Sequence, residues 1–449
     1  DWQRGPLTIT IPERNLATIV TRRELPKLGE PAQLVLDAIE NPIGSPPLRQ
    51  LIRPSDRVAL LVTDVHDALF GPQGGVGVAL LHYLNDLGVS DRNITLIHAA
   101  GLHGHREAKQ RIGEEILGRV RYHEHDPLDE TNLQFYGATL AGTPVWINRL
   151  AAEADFMLGV GGCNPSLFGF QGGAGIILPG IAGRDTIRHN HLKMMTTVRT
   201  ISGWGPGNPQ RADVMDAADL VGFRFKIDFT ANTVFAGYFR EEWPVAVNYI
   251  RRHVLTPVAP CDIYVFAPAR SRELPSAIYM ALEYGTHILK PGGIMIAVVS
   301  AADHTPVPPR PIAETLQETI YITEQWNRET GEVDPHVAAY WRKRDMICKE
   351  ELMRLPLEEL SRILTRRLGE PRTTTMAWSH RFRLETHRVF LVTEGLTAEE
   401  GLVMGFAYVT DSFADALERA LAERGPNAEI VANVGQTGAL PYRRDEIPD

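Results

Sequence analysis

A chain of 449 residues is too long for one ordinary hydrophobic core, so two domains are expected, each large enough to bury a core of its own. With 44% hydrophobic and 22% charged residues and no low-complexity tract, the composition excludes a largely disordered chain. A net charge of −9 with interspersed signs argues against a general nucleic-acid or anionic-membrane surface.

Cys163, Cys261 and Cys348 lie far apart with no CxxC pair, so neither a disulfide framework nor a structural zinc site is expected, and a reducing cytoplasm fits. The opening Asp1-Trp2-Gln3-Arg4 carries no signal-peptide pattern. Apolar runs such as 294–302 fall well short of the roughly 20 residues of a membrane helix, so no membrane partner is expected.

In chain order, residues 58–65 read as an apolar strand ending near Asp64, 74–87 as an amphipathic helix closed by Gly88, and 94–100 as a second strand. This is a βαβ unit, whose crossover makes the strands parallel neighbours. Open α/β sheets bind ligands at the carboxyl ends of their strands, where Asp64 and the loop Gly101-Leu102-His103-Gly104-His105-Arg106 fall. A third strand over 156–160 runs into a loop, 169–180, with five glycines and a proline. Residues 187–195, carrying His189 and His191, and 213–220 read as helical.

The texture changes near Thr256-Pro257-Val258-Ala259-Pro260, and a new strand, helix, strand alternation follows at 261–267, 274–289 and 293–300. Residues 312–368 read as mainly helical, and strand, helix, strand returns at 390–392, 412–424 and 430–434. The reading is therefore α/β, with two α/β domains built on mainly parallel sheets and an active site in the cleft between them. The expected boundaries are 1–257 for a catalytic and cofactor-binding domain and 258–449 for the second, whose last segment is free to pack back on the first.

Four constellations could carry chemistry. His103, with His105 and Arg106, offers an imidazole poised for proton transfer near neutral pH, against the plain alternative of solvated loop residues. The glycine loop, with Gly169, Gln171, Gly172, Gly173, Ala174 and Gly175, can aim backbone N–H groups at an anion. It lacks the lysine-serine ending of a P-loop, and the alternative is a structural turn. His189-Asn190-His191 offers a metal-ligating imidazole, although two histidines one residue apart cannot share one helical face. Asp64, His66 and Asp67 form the fourth, whose alternative is a polar strand end.

The order of the motifs is more specific than any one of them. Asp64, Ala100-Gly101-Leu102-His103, Gly142-Thr143-Pro144-Val145-Trp146-Ile147-Asn148-Arg149, Gly169-Phe170-Gln171-Gly172-Gly173, Ile177-Leu178-Pro179-Gly180-Ile181-Ala182-Gly183-Arg184 and Asn190-His191 together resemble the lactate racemase family that uses a nickel pincer nucleotide. Gly207-Asn208-Pro209 and Leu289-Lys290-Pro291-Gly292-Gly293 extend the resemblance over most of the chain.

The resemblance implies an isomerase, a racemase or epimerase of a 2-hydroxy acid or related secondary alcohol. Its cofactor would be a nickel pincer nucleotide supplied by pincer-nucleotide biosynthetic proteins, with His191 as the nickel ligand. His103 would be one base, with His105 and Asp64 as further catalytic candidates. His66, Arg184 and the glycine loop would bind the cofactor.

The sequence also departs from the family pattern. Ser166 follows Pro165 where a second histidine base is usual, and Gly175 stands where the family carries a lysine attached to the cofactor. Asp67, Met280 and Glu283 replace an arginine, a glutamine and a lysine. The expectation is a cofactor held non-covalently, with His66, His105 or His189 replacing the second base and Arg106 or Arg184 taking the substrate carboxylate. Two other readings stand beside this one. A pincer-nucleotide-binding protein without racemase activity would explain the departures, and a nicotinamide dehydrogenase would share the hydride chemistry but lacks GxGxxG after a strand.

Overall fold

This computed structural model describes residues 7–63, 67–103, 108–166, 168–196, 207–268, 278, 281–283, 285–301, 310–328, 335–435 and 440–444. The short strand β1 (Leu16–Ile19) comes first. After it, β2 (Val58–Thr63), β3 (Ile94–Ala99), β4 (Arg121–Glu124), β5 (Phe156–Gly162), β6 (Phe225–Phe229) and β7 (Val234–Tyr238) form one six-stranded sheet in the order β7-β6-β5-β2-β3-β4. Every pairing in it is parallel except that of the edge strand β7 with β6.

The strand β8 (Thr256–Val258) leads to β9 (Cys261–Ala267), β10 (Leu289–Val298), β11 (Arg388–Val392), β12 (Tyr408–Thr410), β13 (Ile430–Val434) and the terminal β14 (Pro441–Arg443). Here the all-parallel order is β1-β13-β9-β10-β11-β12, while β14 pairs in parallel with β8.

Both central sheets are covered on two faces, which explains the continuous apolar runs. In β2, Val58, Leu60 and Val62 pack with α1 (Pro31–Glu40) and α2 (Val76–Asp86), while Ala59 and Leu61 face the glycine loop, as a period of two requires. On that second face lie α3 (Arg184–His191), α4 (Pro209–Leu220) and α5 (Phe239–Tyr249). The second domain adds α6 (Ile312–Arg328), α7 (Pro335–Met353), α8 (Leu357–Thr365), α9 (Pro371–Thr386) and α10 (Phe413–Arg424).

The division at residue 257 needs correction at the N-terminus. β1 pairs with β13 in the second sheet, so residues 16–19 add a strand to the far domain. Four half-exposed residues leave little periodicity to read, and their partner lies more than 400 positions away. At the other end Leu440 and Tyr442 enter the core built on the first sheet. The expected helix over 274–289 falls largely outside the described residues, although Ile278 and residues 281–283 are helical.

Helix α9 joins the domains. Its N-cap, Glu370, is buried, and Arg188 of α3 donates to the preceding Gly369 carbonyl at 3.3 Å. Burial raises the Glu370 pKa from 4.5 to about 7, opposed by Arg184, Arg188 and Arg372 and reinforced by Asp345. A carboxyl with a raised folded-state pKa binds more protons folded than unfolded between those two values, so stability falls as pH rises from about 4.5 to 7. A displacement of that size corresponds to on the order of 3 kcal/mol at full ionisation. Glu370→Gln is expected to match the wild type in chemical denaturation at pH 5 and to exceed it at pH 8. A variant less stable at pH 8 would show that the three arginines outweigh burial.

Candidate functional site

The glycine loop closes one wall of a cavity of about 300 Å³ between the two domains. His103, Ser166, Gln171, Gly172, Gly175 and His191 line it from the first domain, and Arg372, Thr375 and Met376 of α9 line it from the second. Six of the residues singled out in the sequence thus meet at one place. The glycines are required by crowding. Gly172 and Gly173 have φ of +89° and +51°, and a Cβ on Gly172 would lie 2.8 Å from Asp228 Oδ2.

His191 ends α3 with its ring against Phe168, the centroids 4.5 Å apart. Its Nδ1 is buried, and burial, with some help from His103 and against a backbone hydrogen bond with Ile187, lowers its pKa from 6.5 to about 3. The imidazole is therefore neutral, the form that ligates metals. His189, two positions earlier on the helix, is half-buried, bonds the Asp185 carbonyl at 2.7 Å and is not among the residues that line the cavity.

The position of His191 is set by its neighbour. Asn190 donates to Asp213 Oδ2 at 2.8 Å and to the Gln210 carbonyl at 3.1 Å, and accepts from Gln210 Nε2 at 2.6 Å. Asp213 is itself held by the hydroxyls of Thr139 and Thr143, with Lys193 Nζ 3.4 Å away. These buried, satisfied groups lock the end of α3, as outer-shell partners of a ligating histidine do.

The motif Gly207-Asn208-Pro209 turns out to be a helix start. Asn208 caps α4 by accepting from the Gln210 and Arg211 N–H groups at 3.0 and 3.2 Å, with Pro209 at the first helical position. This places Gln210 and Arg211 on the cavity.

Below the loop sits a charge cluster that the sequence reading missed. Lys226 Nζ is 2.5 Å from Asp228 Oδ1 and donates to the Ile227 carbonyl at 2.6 Å, and Asp228 Oδ2 accepts from Gly173 N–H at 2.6 Å. Glu242 is buried beside them, and desolvation, reinforced by Asp228 and opposed by Lys226 and Arg211, raises its pKa well above the usual carboxylate value. Gly159 and Gly161 make the room, since Cβ atoms there would meet Lys226 Cδ at 2.9 Å and Nζ at 3.2 Å. Alternating glycines on β5 were the available signal.

Several expected residues do not reach the cavity. Gly173 and Ala174 are buried beneath the loop, and Gly169 pairs with Ser166 in a small hairpin. Arg184 begins α3 on the side of Glu370, so it corrects the expectation that it lines the site. Glu283 is buried against Arg383 at 2.6 Å and Ser379 at 2.8 Å. Asp64, His66, His105, Arg106 and Met280 lie outside the described residues, as does the side chain of Asp67.

A family profile described as the lactate racemase N-terminal domain matches residues 2–203. Lactate racemase from Thermoanaerobacterium thermosaccharolyticum is 25% identical over 286 residues, 60% of this chain and 66% of that protein. Lactate racemase from Lactiplantibacillus plantarum is 28% identical over 291 residues, 62% of this chain and 68% of that protein. This chain is thus similar in sequence to lactate racemases over about three fifths of its length.

The similarity extends to the fold. The lactate racemase apoprotein of T. thermosaccharolyticum superimposes with a TM-score of 0.72 at 21% identity, covering 98% of this chain and 97% of that one. A protein from Thermotoga maritima superimposes with a TM-score of 0.54 at 14% identity, covering 93% of this chain and all of that one. The sequence matches reach about two thirds of the length of the two lactate racemases. Among the described residues no group of three or more metal-ligating side chains is present.

Proposed function

We propose that this chain is an isomerase, a racemase or epimerase of a 2-hydroxy acid or related secondary alcohol, working with a nickel pincer nucleotide held non-covalently. The observation that carries this reading is the meeting of His103, His191 and the glycine loop on one interdomain cavity. The residues fit such a group. His191 presents a neutral imidazole to the cavity, and the loop opens onto the same space.

When bound, the nucleotide would supply a hydride acceptor for the carbinol carbon. The protein's part is then proton transfer, positioning and exclusion of water. His103 removes the hydroxyl proton and returns it, since an imidazole accepts and releases a proton near neutral pH. Ser166 lines the wall where the family carries its second histidine, but a hydroxyl is far too weak a base for that role. Phe168, Phe170, Leu178 and Met376 make much of the lining apolar and favour exclusion of water from the reacting carbon.

His105 and Asp64 stay as further catalytic candidates, and His66 as a cofactor contact, because they flank the same strand ends. The substrate partner is a small hydroxy acid, with pincer-nucleotide biosynthetic proteins as the cofactor source. Among the described residues no helix is long and apolar enough to cross a membrane. Three buried, unpaired cysteines support a cytoplasmic location.

The test is co-expression with pincer-nucleotide biosynthetic proteins followed by native and denaturing mass spectrometry. Nickel and a nucleotide should accompany the native protein, and both should leave on denaturation, because Gly175 offers no amine for attachment. A folded protein carrying neither sinks the reading. Nickel and nucleotide retained without turnover of any hydroxy acid would instead support a binding protein.

A further inference from the structure

Arg211 is a buried cation. It is 6% exposed, lies over Trp243 with Cζ 4.3 Å from the ring centroid, and gives one donor, Nη2, to the Gly172 carbonyl. Its Nε is buried without a partner, and among the described residues no carboxylate lies within ion-pair distance of its guanidinium. A guanidinium has five N–H donors, so most are unused.

Its neighbours are paired with one another or stand further off. Lys226 pairs with Asp228 at 2.5 Å, while Asp228 and Glu242 act on Arg211 only from beyond ion-pair distance. In largely apolar surroundings a cation without a contact partner is costly. A planar fork with open donors matches a planar carboxylate, which it can bind bidentately.

The location narrows the ligand further. A Cβ on Gly175 would have Arg211 Nη1 at 3.3 Å as its one neighbour within 4 Å, so residue 175 and the guanidinium face the same space. An acid group that is not consumed by attachment to a side chain at 175 stays ionised there and needs a cation. We propose that Arg211 is the carboxylate-binding residue of this cavity, taking the free acid group of a pyridinium-carboxylate nucleotide beside Gly175. This rests on the proposed cofactor class and adds to it the residue that replaces a covalent tether.

The test compares two probes that differ only in that group, nicotinic acid mononucleotide and nicotinamide mononucleotide, by calorimetric titration of the full chain. The acid is expected to bind about 10–100-fold tighter than the amide, the range of one charge-assisted hydrogen-bonded pair. Arg211→Gln should abolish that preference and Arg211→Lys should retain part of it. Gly175→Glu keeps Arg211 and places a carboxylate of the chain itself beside it, so it should also abolish the preference while leaving the melting temperature unchanged or higher. Gly175→Ala should bind both probes as the wild type does.

Equal affinity of the wild type for acid and amide overturns the role of Arg211 and leaves the cofactor reading standing. If neither probe binds, both fall. If lactate binds and Arg211→Gln weakens lactate but not the acid mononucleotide, the guanidinium takes a substrate carboxylate and the proposal is overturned.

Discussion

His191→Ala, co-expressed with pincer-nucleotide biosynthetic proteins, is expected to retain no nickel by elemental analysis, while the wild type retains about one per chain. The cause is local. His191 is the imidazole of α3 that lines the cavity, and its pKa near 3 keeps it neutral at any working pH. Removing the ring costs the fold its packing against Phe168 and a backbone hydrogen bond with Ile187. Asn190→Ala leaves the imidazole but unties it from Asp213 and Gln210, and should weaken nickel by about 10–100-fold, the usual effect of losing an outer-shell partner. Stoichiometric nickel in folded His191→Ala would remove His191 from the site.

His103→Ala separates chemistry from binding. Nickel and nucleotide content should stay at the wild-type level, while conversion of an active hydroxy acid, followed by chiral chromatography, falls by about 10²–10⁴-fold, the usual contribution of a positioned base. The loss should appear in kcat, because the proton is in flight only in the transition state. His103 lines the cavity near enough to His191 for its charge to lower that group's pKa, so the two histidines face one space. A variant with wild-type turnover would move the base to another residue, with His105 and His66 next in line.

Much of this site was visible before folding was considered, because short motifs encode local geometry. A run such as Gly172-Gly173 is readable as a loop, since positive φ is a property of the residue itself. His103 follows a strand end, and helical period allowed only one of His189 and His191 to face a site, the motif order of the resemblance pointing to His191. Asn208-Pro209 is a cap followed by a first-turn proline, a signal that needs no tertiary context.

The misses have the opposite character. Lys226 and Asp228 sit two apart on a strand, which places them on one face, but nothing local tells whether that face meets water or the backs of Gly159 and Gly161. Arg184 was judged by its nearness to the glycine loop in sequence, whereas the N-terminus of α3 faces Glu370 of α9. The N-terminal strand was assigned by continuity to the first domain and instead pairs with β13.

By itself, then, the amino-acid order determined the α/β class, the strands with their binding ends, the glycine loop and the two histidines, because period, turn chemistry and ordered motifs act over a few residues. Only the tertiary structure decided which domain receives residues 16–19, which face of α4 and β6 is desolvated, and that Arg211 is left as the unpaired charge above Lys226 and Asp228. Burial and charge balance are sums over neighbours from every part of the chain, and those neighbours are fixed only once the sheets and helices have packed.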